Sequence, residues 1–122
     1  MSLSAYQRVR TLTETPRAME CRLIREITGD LIGARGSGAT GISLAPALFR
    51  NREMWGAFGT ACGARGNMLP DGLRASIVSL SLWVDRYTSD VIAGRDVIEP
   101  LIDVNRQVLE GCLLYTSPSP RD

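Results

Sequence analysis

Between Pro70 and Gly94, apolar residues recur with a period that a helix buries along one side. Leu73, Ile77, Leu80, Val84, Tyr87 and Val91 step by 4, 3, 4, 3 and 4 residues, the narrow seam of a helical bundle or coiled coil. Leu82 and Trp83 widen the stripe. Pro70 suits a helix start, where its missing N–H is not needed, and Gly94 suits a left-handed cap. Spacing alone leaves open whether this seam packs within the chain or against a second copy.

Three other segments read as helices. Thr15 can cap and Pro16 opens a pattern through Met19, Leu23, Ile24, Ile27, Leu31 and Ala34 that stops near Gly36. A thinner signal around Tyr6 and Val9 suggests a short leading helix over 4–13. After the linker Gly36-Ser-Gly-Ala-Thr-Gly41, a second helix starts near Ser43 with Pro46 in its first turn. Its stripe is Leu44, Leu48, Trp55, Phe58 and Cys62, interrupted by Asn51 and Arg52. Asp96-Val-Ile-Glu99 reads as a capping box ahead of Ile98, Leu101, Ile102, Asn105, Val108 and Leu109, ending at Gly111. No segment joins two-residue alternation to β-branched density. The expected fold is all-α, a small bundle of about four helices joined by short Gly-rich loops.

Composition restricts the chemistry. Histidine is absent, which removes Ser-His and Cys-His pairs, imidazole metal sites and the commonest general base. All 14 basic residues are arginine, so Schiff-base and P-loop lysine chemistry are excluded. A net charge of +1 argues against a protein that binds nucleic-acid backbone or anionic membrane. No apolar run approaches the ~20 residues of a membrane helix, and 1–8 lack a signal peptide's apolar stretch. The expectation is a non-enzymatic cytoplasmic protein with no cofactor, metal, membrane or direct nucleic-acid partner.

Two motifs fail on context. Gly36-Ser-Gly-Ala-Thr-Gly41 matches the dinucleotide fingerprint in letters, but a helix precedes it where a strand is needed. The overlapping Gly33-Ala-Arg-Gly-Ser-Gly38-Ala-Thr40 resembles a P-loop with Ala39 in the lysine position. Cys21 and Cys62 fall on apolar faces and read as small buried hydrophobes, with no disulfide expected in a reducing compartment. Asp85/Asp90 and Asp96/Glu99 read as solvated or capping carboxylates.

Residues 112–122 break from what precedes them. Cys112-Leu-Leu-Tyr-Thr-Ser-Pro-Ser-Pro-Arg-Asp122 resembles the in-frame translation of a transposase adapter used in sequencing libraries. It is read as a non-native, disordered tail, leaving 1–111 as a single domain whose own C-terminus lies elsewhere.

Seven short strings carry a further resemblance. They are Ser4-Ala-Tyr-Gln7 with Glu14-Thr-Pro16, Ala39-Thr-Gly41, Asn51-Arg-Glu-Met-Trp55, Asn67-Met-Leu-Pro70, Ser79-Leu-Ser-Leu-Trp-Val84 and Ile98-Glu-Pro-Leu-Ile-Asp-Val-Asn-Arg106. In order and spacing, from Ser2 to about Gly111, they resemble the FlaF family of alphaproteobacterial flagellar biosynthesis regulators. The resemblance implies an adaptor or secretion chaperone that binds flagellin and supports its synthesis and export. The alternative it implies is post-transcriptional control of flagellin expression, acting through a second regulator, FlbT, or through flagellin message. Near-neutral charge and 6% aromatic content favour protein partners over direct RNA contact.

Anchor chemistry nominates the partner-binding residues. Trp55 and Trp83 are the largest apolar groups, with Leu48, Phe58 and Val84 nearby. Asn51-Arg52 and Asn105-Arg106 interrupt apolar stripes, either to hydrogen-bond between helices and fix register or to face a partner. The structural role is favoured, and Asn51 and Arg52 stay on the candidate face.

Overall fold

In a computed structural model, residues 16–64 and 66–116 are described, with side chains at 17–64 and 66–112. Four helices follow in order: α1 (Pro16–Gly36), α2 (Ala45–Gly63), α3 (Asp71–Ile92) and α4 (Glu99–Thr116). A 3-10 turn, Gly41–Leu44, leads into α2. The described residues contain no strand, so the chain is an all-α bundle. The leading helix expected over 4–13 and the tail residues 117–122 lie outside the described residues.

The helices bury most of the stripes their spacing predicts, with Met19 of α1 and Leu73 of α3 left exposed. On α1, Cys21, Ile24, Ile27 and Leu31 are buried, and the Thr28 hydroxyl donates to the Ile24 carbonyl at 2.6 Å, satisfying a polar group inside the core. On α2, Leu48, Met54, Trp55 and Cys62 point inward; Val84 and Val91 do so on α3, and Leu101 and Ile102 on α4. The second helix starts in two stages. The Ser43 hydroxyl accepts the Thr40 N–H at 3.2 Å and donates to the Thr40 carbonyl at 2.6 Å, which closes the 3-10 turn before Pro46 enters the α-helix.

Packing is uneven. α2 is the central element, lying against α3 along its length and against α1, while α4 packs on α1. α3 therefore rests on α2 and the 3-10 turn and has little packing on α1 or α4. Gly59 permits the close approach of α2 to α3: a Cβ there would sit 2.2 Å from Ser81 Oγ and 2.8 Å from Ser81 Cβ. Gly56, one turn earlier, faces open space.

The α3–α4 junction corrects one expectation. Gly94 has φ +78° and its N–H donates to the Val91 carbonyl at 3.0 Å, the cap expected of it. Asp96, expected to cap α4, lies three residues before the helix begins. Its Oδ1 instead accepts the Val97 N–H at 3.0 Å and lies 2.8 Å from the Tyr87 hydroxyl. The same hydroxyl is 2.8 Å from the Val97 carbonyl. Tyr87 thus ties the end of α3 to the loop that launches α4. Burial of the phenol, and then its hydrogen bond to Asp96, push its pKa up to about 12 from 10.0.

The C-terminal end differs more. α4 continues through Gly111 to Thr116, past the point where the sequence reading ends it. Leu101, Asn105, Val108 and Cys112 step by 4, 3 and 4 residues, so Cys112 extends the inner stripe and is buried. Cys21 and Cys112 form a disulfide with Cα atoms 5.8 Å apart, where no disulfide was expected. The partner of Cys21 is supplied by the continuation of α4 past Gly111, which carries Cys112 onto the inner face.

Two predictions follow from this packing. Gly59→Ala should destabilise the fold, by about 1–3 kcal/mol, because the methyl meets Ser81, whereas Gly56→Ala should stabilise it by about 0.5–1 kcal/mol through helix propensity. Urea unfolding separates the two. The raised Tyr87 pKa favours the neutral phenol in the folded state, so its contribution is whole below pH 10.0 and fades as pH rises through about 12. Tyr87→Phe should abolish that alkaline step when unfolding is followed against pH.

Candidate functional site

Because the first half of α3 leans mainly on α2, it leaves an apolar cleft of about 300 Å³ toward α1 and α4. Leu73, Ile77 and Leu80 form one wall, at the 4 and 3 spacing of the seam. Ile24 of α1 and Val108 of α4 face them, and Trp55 and Phe58 of α2 form the floor. The seam therefore divides. Its second half, Val84 to Val91, is buried in the bundle, while Leu73 remains 38% exposed at the mouth of the cleft. Charged groups at the opening are confined to Arg17 and Glu20 among the lining residues. A concave, apolar site of this kind takes an apolar ligand face by shape and desolvation.

A buried polar chain holds the floor. Trp55 Nε1 donates to Asn105 Oδ1 at 2.9 Å, and Asn105 Nδ2 donates to Asn51 Oδ1 at 2.8 Å. All three side chains are essentially inaccessible, so the chain joins α2 to α4 through the core and orients the indole beneath the cleft. Asn51 Nδ2, and on α3 Thr88 Oγ1, are buried without a hydrogen-bond partner among the described residues. Trp55 also meets Phe58 edge to face, with centroids 6.0 Å apart.

Of the seven residues nominated from sequence, the cleft brings together Trp55 and Phe58. Leu48, Asn51, Trp55 and Val84 require correction as surface candidates: each is wholly buried, Trp55 lying beneath the cleft, and Leu48, Asn51 and Val84 could meet a partner only if the bundle opened. Arg52 lies elsewhere, its guanidinium 4.9 Å from the Phe49 ring and its Nε 3.9 Å from Asp85. Trp83 is half-buried and stacks on Tyr87 at 4.9 Å. Leu73, Ile77, Leu80, Ile24 and Val108 were missed as site residues. Their periodicity was visible, but it could not show which part of the seam stays uncovered.

The glycine loop forms a second hollow, of about 390 Å³, bounded by Arg35, Thr40, Asp96 and Glu99. Gly38 and Gly41 take φ of +80° and +54°, backbone that other residues rarely adopt. A helix, not a strand, precedes them, as a linker requires. No group of three or more His, Cys, Asp or Glu that could hold a metal occurs among the described residues. No helix of the described residues is long and apolar enough to cross a membrane. Cys62 is buried with a free thiol and lines the cleft.

Fold and cleft together define a small helical bundle with one open apolar face. Residues 2–112 match the family described as flagellar protein FlaF, and the chain belongs to that family. No curated protein and no solved structure matches the chain.

The polar chain under the cleft generates a stability prediction. Asn105→Ala leaves the Trp55 N–H and the Asn51 carbonyl oxygen buried without partners, and should cost about 2–4 kcal/mol. Denaturant unfolding measures it, and a loss below about 1 kcal/mol would show that the core supplies substitutes.

Proposed function

We propose that this flagellar protein is a non-enzymatic adaptor that binds flagellin before export, taking an amphipathic segment by its apolar face in the cleft. Flagellin termini that are disordered in the monomer become amphipathic helices in the filament, and left bare they would associate prematurely. A groove that receives residues at helical spacing suits such a segment. The observation that carries the reading is the divided seam of α3. Leu73, Ile77 and Leu80 retain the pattern of a helix–helix contact but face a cleft instead of a neighbouring helix. Family membership supports the flagellar context. Regulation of flagellin synthesis would follow if occupancy of the cleft reports free flagellin to FlbT.

Calorimetric titration of the protein with monomeric flagellin tests this. Saturable binding at about 1–10 μM is expected, with Leu73→Asp weakening it at least about tenfold, or 1.4 kcal/mol, by placing a carboxylate in the cleft wall. Leu73 is partly exposed, so the variant should keep its helicity. Absence of heat and of co-elution at tens of micromolar sinks the reading.

A further inference from the structure

We propose that the outward face of α3 is a homodimer seam, in which two copies of this chain pack α3 against α3 antiparallel about a two-fold axis. The segment 75–84 contains no charged residue between Arg74 and Asp85, although its outer side is not covered by the bundle. Depletion of charge is what distinguishes the centre of an interface from ordinary surface.

The outward residues form a second stripe. Asp71, Ala75, Val78, Leu82 and Arg86 step by 4, 3, 4 and 4 residues and, with Ser79, fall within an arc of about 100° on a helix of 3.6 residues per turn. That arc lies opposite Leu80, Val84 and Val91. Asp71, Ala75, Ser79, Leu82 and Arg86 are exposed and Val78 is half-buried; Leu82 is 55% exposed.

The stripe is complementary to itself in one orientation. An antiparallel pair centred between Val78 and Ser79 sets Val78 against the partner's Ser79 and small Ala75 against the partner's Leu82. The same register sets Asp71 against the partner's Arg86. Each match occurs twice by symmetry, so a large side chain meets a small one near the centre and opposite charges close both ends. Parallel pairing would instead set Asp71 beside Asp71 and Arg86 beside Arg86. Asp71 is 94% exposed and shares only Oδ1 with Arg74, and Arg86 forms no ion pair among the described residues. The seam lies across the helix from the cleft, so it is independent of what the cleft binds.

One helix pair over about four turns is a small interface, so the dimer is weak and reversible. Analytical ultracentrifugation of the full chain should show a monomer–dimer equilibrium with Kd on the order of 10–100 μM. D71R and R86D should each weaken it at least about tenfold by setting like charges face to face, and the double variant D71R/R86D should restore it to within about threefold. Leu82→Glu should abolish it, with circular dichroism checking the fold of each variant. A protein monomeric to about 500 μM, a double variant no better than either single, or a dimer indifferent to all four overturns the proposal. So does a monomer in which Leu82→Glu impairs flagellin binding, since that outcome assigns the face to flagellin.

Discussion

The bundle depends on a short run of hydrogen bonds at its centre. Trp55, Asn105 and Asn51 are inaccessible to solvent, and the first donates to the second and the second to the third. Apolar packing alone lets helices slide by a turn at modest cost, but two buried amides and an indole N–H meet in one register only. Slipping α4 by a turn against α2 would leave donors and acceptors without water or partner, each at about 1–3 kcal/mol. Specificity of this kind, obtained from polar groups in an apolar core, is a known use of single asparagines in helical assemblies.

That registration has consequences at both ends of the molecule. It holds α4, which packs on α1, to α2, and it fixes the indole as the floor of the cleft. α3 is not part of it. Contact at Gly59 and Ser81, together with the junction at Tyr87 and Asp96, secures α3 to α2 and to the loop before α4. Its first half is left with apolar side chains toward a cleft and an uncharged strip toward solvent. A helix in that position can serve two surfaces, because the cleft-facing and outward stripes lie on different sides of the same cylinder.

Flagellar context and helical architecture come together in a protein that contains neither histidine nor lysine. Its charged contacts among the described residues are a few arginine–carboxylate pairs. Those pairs are exposed, as with Arg50 and Asp30 between α2 and α1, and each contributes about 0–1 kcal/mol. Stability therefore rests on the buried stripes, the amide chain and the Cys21–Cys112 disulfide.

Helix positions were legible from sequence because local rules decide them. Pro16, Pro70 and Gly94 mark boundaries by their own backbone constraints, and the three-and-four spacing identifies each inner face without knowledge of its neighbour. Asn51 and Asn105 could be recognised as register residues, since a polar group in an apolar stripe must find a partner. Two local readings failed where a distant residue competed. Asp96 serves Tyr87 and Val97 instead of capping α4, and Cys112 joins Cys21 because helical continuity carries it onto the inner face. The cleft was not legible. Leu73 and Val84 both lie on the seam, and only the tertiary arrangement leaves the first 38% exposed and buries the second. Periodicity determines which side of a helix seeks cover; the packing of the other helices decides how much of it is found.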